Sequence, residues 1–564
     1  MTGGELVLYL PDGRIEPPPD PYGRQVANAG TFRALVRFGG YDRVHVQCKV
    51  PPPPAQLRAD LRVPPDAPDR PSAPGWPHIS TGPLIATAPA AATTAGTLLS
   101  GQAYLSEPAW IRRYAGRDGD YSIVGTMFAF ASATHRERMV SSTLAPVHPW
   151  DAIVCSSPTL AQTVAGVLDA WEDHLRDRLG DGAELPRPQL PVIGFGSEVD
   201  TLARRGDDVA ARESLRAELG IGAEDVMVFS LGRLSFYDKA FPQPMFRAVA
   251  QAQRDTESRV HLVMAGWFPN GAADRARYEQ AHRRHAPDVP LHLLDGNDQQ
   301  LVARCWAGAD IFLLLSDTIL ETFGQALVEA MAAGLPLVVS DWDGYRFIVH
   351  DGVEGFLIPT LGAAPGRLGE TLALLQYAGE LGYARYAGAV AAHTAVSVPA
   401  AAAALTQLVE SPQLRAAMGA AGRRAARQRF DWPVIVAAYQ QLFAELAERR
   451  RGRSAEPPAA ERRRLNPLRG DPFADFAALP STVIDDHHHL RLTGLEPPDP
   501  QIELDAMFGG VRGRDGEVAA VLQLLATHPD ATVGEVLDGF EPRRRPFVRN
   551  TLMWLAKSGA VDWT

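Results

Sequence analysis

Short uninterrupted apolar runs, each closed by a polar or glycine-containing turn and followed by a stretch of helical spacing, recur along most of this chain. Residues 5–10 and 43–48 are two such runs with a helix predicted over 26–38 between them, and residues 151–156 are another. A second series begins at Val226 and continues at 260–265, 291–294, 310–315 and 336–340. Runs without polar alternation suit strands buried on both faces, and strands alternating with helices predict parallel, doubly wound sheets, an α/β fold. The first series closes near residues 191–196, and a charged connector leads to the second. Two stretches interrupt the first series. The prolines from Pro51 to Pro77 predict a surface excursion that continues neither a helix nor a central strand, and the Ala- and Thr-rich residues 88–99 read as a helix.

The pattern changes after residue 448. Residues 449–480 carry two arginine triplets, at 449–451 and 462–464, and several prolines, the composition of a solvated linker. Beyond it, residues 515–526, 532–540 and 545–558 predict three short helices, with Thr532 and Glu535 forming a capping box and Gly559 stopping the third. Three small helices followed by Ala560-Val561-Asp562-Trp563 resemble a winged helix lacking a complete wing, which suits protein contact or dimerisation better than DNA binding. Asp485-Asp486-His487-His488-His489 contains metal-ligating types. Adjacent histidines splay apart on any regular element, however, and the segment reads as structural.

Composition narrows the classes without choosing among them. With 564 residues, 46% hydrophobic and 21% charged, the chain is an ordinary globular protein of several domains. A net charge of −11 argues against attraction of the whole surface to nucleic acid, so any anion site is local. Cys48, Cys155 and Cys305 lie far apart in no metal-ligand spacing, and neither a leader nor a run of about 20 apolar residues is evident. These features lead to an expectation of a cytoplasmic protein, with peripheral membrane contact left open.

The most informative chemistry is Glu321-Thr322-Phe323-Gly324 followed by Glu329, eight positions after Glu321. The apolar run before it places Glu321 on a loop. Residues 324–333 are good helix formers, Gly334 is placed to cap them and Pro336 prevents continuation. A helix N-terminus offers free backbone N–H groups to an anion while carboxylates accept from hydroxyls, and a nucleotide diphosphate sugar has both parts. Upstream, Leu231-Gly232-Arg233-Leu234 and Lys239 end another apolar run.

These motifs, in this order, resemble the E-x7-E group of retaining glycosyltransferases of GT-B fold, the group 1, sucrose synthase-like family. The resemblance implies two Rossmann-like lobes facing a cleft: an acceptor-side lobe over 1–196 completed by a crossover helix at 430–448, and a donor-side lobe over 197–429, with the linker at 449–480 and the helical module at 481–564. It implies transfer of a sugar from a UDP-, GDP- or ADP-sugar to an acceptor hydroxyl with retention of configuration, without metal or cofactor. Arg233, Lys239 and Glu321 take the catalytic places. Gly232, Thr322, Phe323, Gly324, Glu329, Gly296, Asn297 and Gly23 take donor-binding ones. Two positions depart from the family pattern. Lys239 follows Arg233 by six residues, with Ala240 next, where five and a glycine are usual, and Phe128 stands where relatives often have a histidine that holds the donor sugar. Phe128 keeps open a second reading, a nucleotide-sugar-binding regulatory protein without turnover. Another GT-B enzyme, such as an epimerase, is a third.

Overall fold

The computed structural model describes residues 4–18, 23–65, 67, 76–84, 96–180, 185–452, 465–507 and 509–564. The chain divides into two compact units between Asn466 and Pro467. The larger holds two six-stranded parallel sheets. The first is built from β1 (Glu5–Tyr9), β2 (Arg43–Gln47), β3 (His78–Gly82), β4 (Thr97–Ser100), β5 (Ser122–Met127) and β6 (Ala152–Cys155), in the order β3-β2-β1-β4-β5-β6. The second contains β7 (Val226–Leu231), β8 (Val260–Gly266), β9 (Leu291–Asp295), β10 (Ile311–Leu314), β11 (Leu337–Ser340) and β12 (Gly355–Ile358), in the order β12-β11-β10-β7-β8-β9. Both orders reverse direction after the first strand of the set, so each sheet has a switch point, between β1 and β4 and between β7 and β10. In doubly wound sheets ligands bind at the carboxyl ends of the strands there.

The expected α/β class and two doubly wound sheets are therefore present, with local corrections. Residues 97–99 belong to β4, not to a helix: Thr97, Leu98 and Leu99 are buried between β1 and β5, and burial on both faces favours an extended segment whatever the helix propensity of the alanines before it. Residues 85–95 lie outside the described residues. The proline excursion is not free of helix. Pro54 opens the helix Pro54–Asp60, where a missing N–H costs nothing, and Leu57, Leu61 and Val63 enter the first core. The charged connector forms two helices, Val199–Gly206 and Val209–Leu219. The second anchors through Arg212 and Arg216 on Asp310, with contacts of 2.6 and 2.9 Å.

The helix Trp432–Arg451 crosses back to the first sheet, placing Ile435, Val436, Tyr439, Leu442 and Leu446 in the same core as Leu6, Leu8, Val44 and Val46. Its last turn is pinned by Arg450, which donates to Gly96 O and Ser122 Oγ, both at 2.7 Å. A second buried cation, Arg112, fixes the other side of the sheet through Asp151, both side chains fully buried, while Asp151 also accepts from the N–H groups of Ile123 and His148.

The smaller unit has the three expected helices, Asp515–Thr527, Val533–Asp538 and Arg545–Lys557, with the Thr532–Glu535 capping box formed. An antiparallel pair, Leu490–Leu492 with Val561–Trp563, closes them over a core of Val521, Val536, Val548 and Leu552. His488 bonds to Asp485 at 2.8 Å, and among the described residues no group of three His, Cys, Asp or Glu could hold a metal ion. Arg462 to Arg464 of the linker lie outside the described residues.

Candidate active site

At the switch point of the second sheet the backbone is stripped of side chains. Gly232, just past β7, has φ +151° and donates its N–H to Ala265 O at 3.1 Å. A Cβ on Gly266 would lie 2.0 Å from Gly232 O, and one on Gly296 would lie 2.6 Å from the Cα of Gly266. Three successive strand ends therefore approach as bare backbone, a surface that admits a ligand closely. Gly232 and Gly296 were expected there and Gly266 was missed. Its signal was a glycine ending the apolar run 260–265, the place Gly232 holds after β7.

The loop after β7 turns at Ser235, whose carbonyl accepts from the N–H groups of Lys239 and Ala240. That turn folds Lys239 back over Gly232, where a Cβ would meet the lysine Cε at 3.1 Å. The six-residue spacing thus still brings the ammonium to the strand end. Lys239 pairs with Glu321 Oε2, both side chains mostly buried, and its carbonyl accepts from Ser316 Oγ at 2.8 Å. Arg233 is steadied within the same loop, its Nε 3.4 Å from Asp238 Oδ1, and its guanidinium lies 5.9 Å from the centroid of the Trp267 ring.

From the other side of the switch point, β10 runs into Ser316, Asp317 and Thr318, all buried. Glu321 closes a turn onto Thr318 O at 3.2 Å. Gly324 caps the helix Gln325–Ala333 with φ +101°, and a Cβ there would lie 2.5 Å from Tyr345 Cε1, so the close turn demands glycine. Gly324 is the cap, not the first helical residue as predicted. Glu329 lies one turn beyond Gln325 on the partly exposed face of this helix. Burial pushes its carboxyl up to about 7 against the pull of Arg205. Among the described residues no hydrogen bond or ion pair joins it to Glu321 or Arg233. Asp317, accepting from Phe241 N–H at 3.3 Å, is likewise pushed by burial up to about 7.

The two lobes meet at this loop. Thr322 Oγ1 donates to Phe128 O, Ser156 Oγ donates to Thr322 O at 3.4 Å, and Ser157 Oγ donates to Asp343 Oδ1 at 2.6 Å. Burial pushes Asp343 up to about 6, the Ser157 bond opposing and Glu321 adding. The ring of Phe128 stacks on Phe195 at 5.1 Å, and Phe195 meets the buried Phe323 edge-on at 5.0 Å. Phe128 therefore packs between the lobes. The helix Gly23–Phe38 begins with Gly23 exposed, while Pro21 and Tyr22 of the expected loop lie outside the described residues. Asn297 turns its N–H onto Asp295 Oδ1 at 2.9 Å, beside Gly296. His135 is half-buried on the helix Ala133–Ser141, its ring 5.7 Å from that of Tyr104.

Comparison with known proteins bears on the same segment. Residues 211–365 match the family Glycosyl transferases group 1. The D-inositol 3-phosphate glycosyltransferase of Corynebacterium kroppenstedtii is 31% identical over 172 residues, 30% of this chain and 37% of that protein. Its counterpart from Xylanimonas cellulosilytica is 26% identical over 364 residues, covering 63% of this chain and 72% of the relative. The phosphatidyl-myo-inositol mannosyltransferase of Mycobacterium leprae is 32% identical over 127 residues, 24% of its length. The chain thus spans well under half of the first and third of these relatives. Among solved structures, Anabaena HepE in complex with UDP superposes with a TM-score of 0.50 at 16% identity, over 78% of this chain and all of that one. The two sheets with their switch points are accordingly a GT-B fold, and residues 211–365 within it are the part that matches the Glycosyl transferases group 1 family.

Proposed function

We propose that this protein is a retaining glycosyltransferase that moves a sugar from a nucleotide diphosphate sugar to an acceptor hydroxyl. The observation that carries the reading is the convergence of bare backbone at Gly232, Gly266 and Gly296 with Arg233, Lys239 and Glu321 at one switch point inside the part that matches the group 1 family. The bond from the anomeric carbon to the diphosphate breaks, and charge gathers on the departing oxygens. Arg233 meets them as a fork and Lys239 as a point charge, while the N–H groups at the start of the helix Gln325–Ala333 add to the cradle beside Phe323 and Gly324. Two cations and a helix end supply the stabilisation, so the step as written needs no metal. The acceptor oxygen attacks on the face the diphosphate leaves, and its proton passes to a departing phosphate oxygen.

The Lys239–Glu321 pair gives the donor a handover. As the diphosphate draws Lys239 away, the Glu321 carboxylate is released to accept from donor-sugar hydroxyls. Glu329 is assigned to the ribose hydroxyls and the Asp295–Asn297 turn to the side of the base. HepE was crystallised with UDP, which makes UDP-sugars the first donors to test. The names of the relatives suggest a phosphorylated inositol as acceptor. Supporting this, Arg138 lies 5.5 Å from the Tyr104 ring on the strand-end side of the first sheet, with His135 beside it and Arg24 close enough to act electrostatically on both rings. No helix of the described residues is long and apolar enough to cross a membrane, and Cys48, Cys155 and Cys305 are free and buried. The proposed compartment is the cytoplasm.

The test is incubation of the purified protein with UDP-, GDP- and ADP-sugars and inositol phosphates, followed by NMR of the product's anomeric proton. Retained configuration supports the proposal, inverted configuration refutes the mechanism, and nucleotide binding without transfer or hydrolysis would favour the regulatory reading.

A further inference from the structure

A cavity of about 460 Å³ opens at the far end of the second sheet, where β8 and β9 begin rather than where they end. Its walls come from three segments: Arg259 just before β8, the helix Ala272–His285, and the turn leading into β9. It belongs to no part of the site described above, which lies at the opposite ends of the same strands.

Its charges are matched only in part. Arg275 is paired with Glu279 at 3.0 Å. His282 is held by Val289 O at 2.7 Å, and burial lowers its pKa, which favours the neutral ring. Arg259, Arg283 and Asp288 line the cavity as exposed side chains; Arg259 acts electrostatically on Asp225, while Arg283 and Asp288 make no side-chain hydrogen bond or ion pair with any described residue. Two guanidiniums and one carboxylate on the lining of one cavity suit a ligand with an anionic group and with hydroxyls. The lining is mostly polar, with a smaller apolar part from Pro287, Pro290 and the half-buried Leu291 and Leu293 of the edge strand β9. A planar, delocalised cation binds phosphate in two-pronged fashion, a carboxylate accepts from neighbouring hydroxyls, and the C–H face of a sugar ring covers proline and leucine. The volume lies within the roughly 300–1,000 Å³ typical of small-molecule sites.

We infer that this cavity is a second binding site, separate from the catalytic cleft, for a small phosphorylated sugar or polyol. Arg259 and Arg283 take the phosphate, Asp288 takes ring hydroxyls, and the ring lies over Leu291 and Leu293. Because the cleft and the cavity are at opposite ends of β8, donor and second ligand bind together.

The experiment is isothermal titration of the full chain, saturated with UDP, using glucose 6-phosphate as probe, with inorganic phosphate and glucose titrated as its separate halves. Glucose 6-phosphate is expected to bind at least about tenfold more tightly than either half, reflecting charge-assisted contacts and a ring contact made at once. Arg259→Ala with Arg283→Ala is expected to weaken it by roughly tenfold or more, and Asp288→Asn is expected to weaken glucose 6-phosphate but not inorganic phosphate. Both arginines are exposed, and an unchanged melting curve without ligand checks that the variants fold. Arg138→Ala, in the first lobe, separates the cavity from the proposed acceptor side. If that variant abolishes binding while the Arg259/Arg283 variant does not, or if glucose 6-phosphate binds no better than phosphate, the inference is overturned.

Discussion

Lys239 and Glu321 neutralise one another across the switch point, and the proposed reaction requires that they part. Lys239→Met should therefore lower kcat more than it raises KM, because its charge is needed most as the diphosphate leaves. Arg233→Ala should cost roughly 2–4 kcal/mol of transition-state stabilisation, the scale of losing one preorganised donor. Steady-state kinetics on the two variants checks both, and near wild-type turnover in either removes that residue from the mechanism. Glu329 makes a different prediction. Its carboxyl is raised from 4.5 to about 7 in the fold, so between those values the native chain keeps a proton that the unfolded chain has lost. The stability associated with that proton is complete at low pH and is lost as pH rises through about 7. Glu329→Gln should match the wild type near pH 4.5 and exceed it at pH 8 by an order of 1–3 kcal/mol, measured by urea unfolding. An equal difference at both pH values would show that the group ionises normally. At this scale local motifs were visible in the sequence: Gly232-Arg233 and Glu321 to Glu329 stood out by their resemblance to a family pattern, and the structure brings Gly232, Lys239 and Glu321 to one switch point. Ser157 and Asp343 could not, because they meet across 186 positions, and nothing near either residue announces the other. Phe128 was noticed as a departure from a pattern, but its packing against Phe195 and Phe323 depends on the closure of two lobes.

Among elements, the ends of β7, β8 and β9 leave little room for a single added carbon. Gly266→Ala would press a methyl group against Gly232 O, with no flexible side chain to give way. The expected result is a loss of roughly 1–3 kcal/mol of stability together with weakened nucleotide binding, because the loop carrying Arg233 must shift. Gly166→Ala, on the helix Pro158–Leu179 away from the switch point, has open space and should weaken neither. A thermal melt and a UDP titration of both variants make the comparison, and intact UDP affinity in Gly266→Ala would separate the glycine stack from the donor site. Strands such as β10 and β11 were legible because their apolar runs are unbroken. β4 was not, since its four residues follow an alanine-rich stretch and only its neighbours β1 and β5 make it a strand.

At the scale of the whole molecule, the division at Asn466 separates the GT-B unit from a small one with its own core. Removing residues 467–564 should leave UDP binding and the melting temperature of the remainder unchanged within error. Loss of UDP binding in a truncated protein that still melts cooperatively would show that the smaller unit takes part. The change of composition near residue 449 was visible in the sequence. The role of Arg450 in bonding Gly96 and Ser122 was not, because it sits in an arginine triplet that reads as solvated. That crossover has a consequence for the order of synthesis. A ribosome finishes the six strands of the first lobe long before it reaches Trp432, and at about 5–20 residues per second the wait is on the order of ten to fifty seconds. During that interval the nascent lobe exposes the seat that Tyr439, Leu442 and Leu446 will fill, a sticky surface that invites holdase chaperones until the last helix emerges.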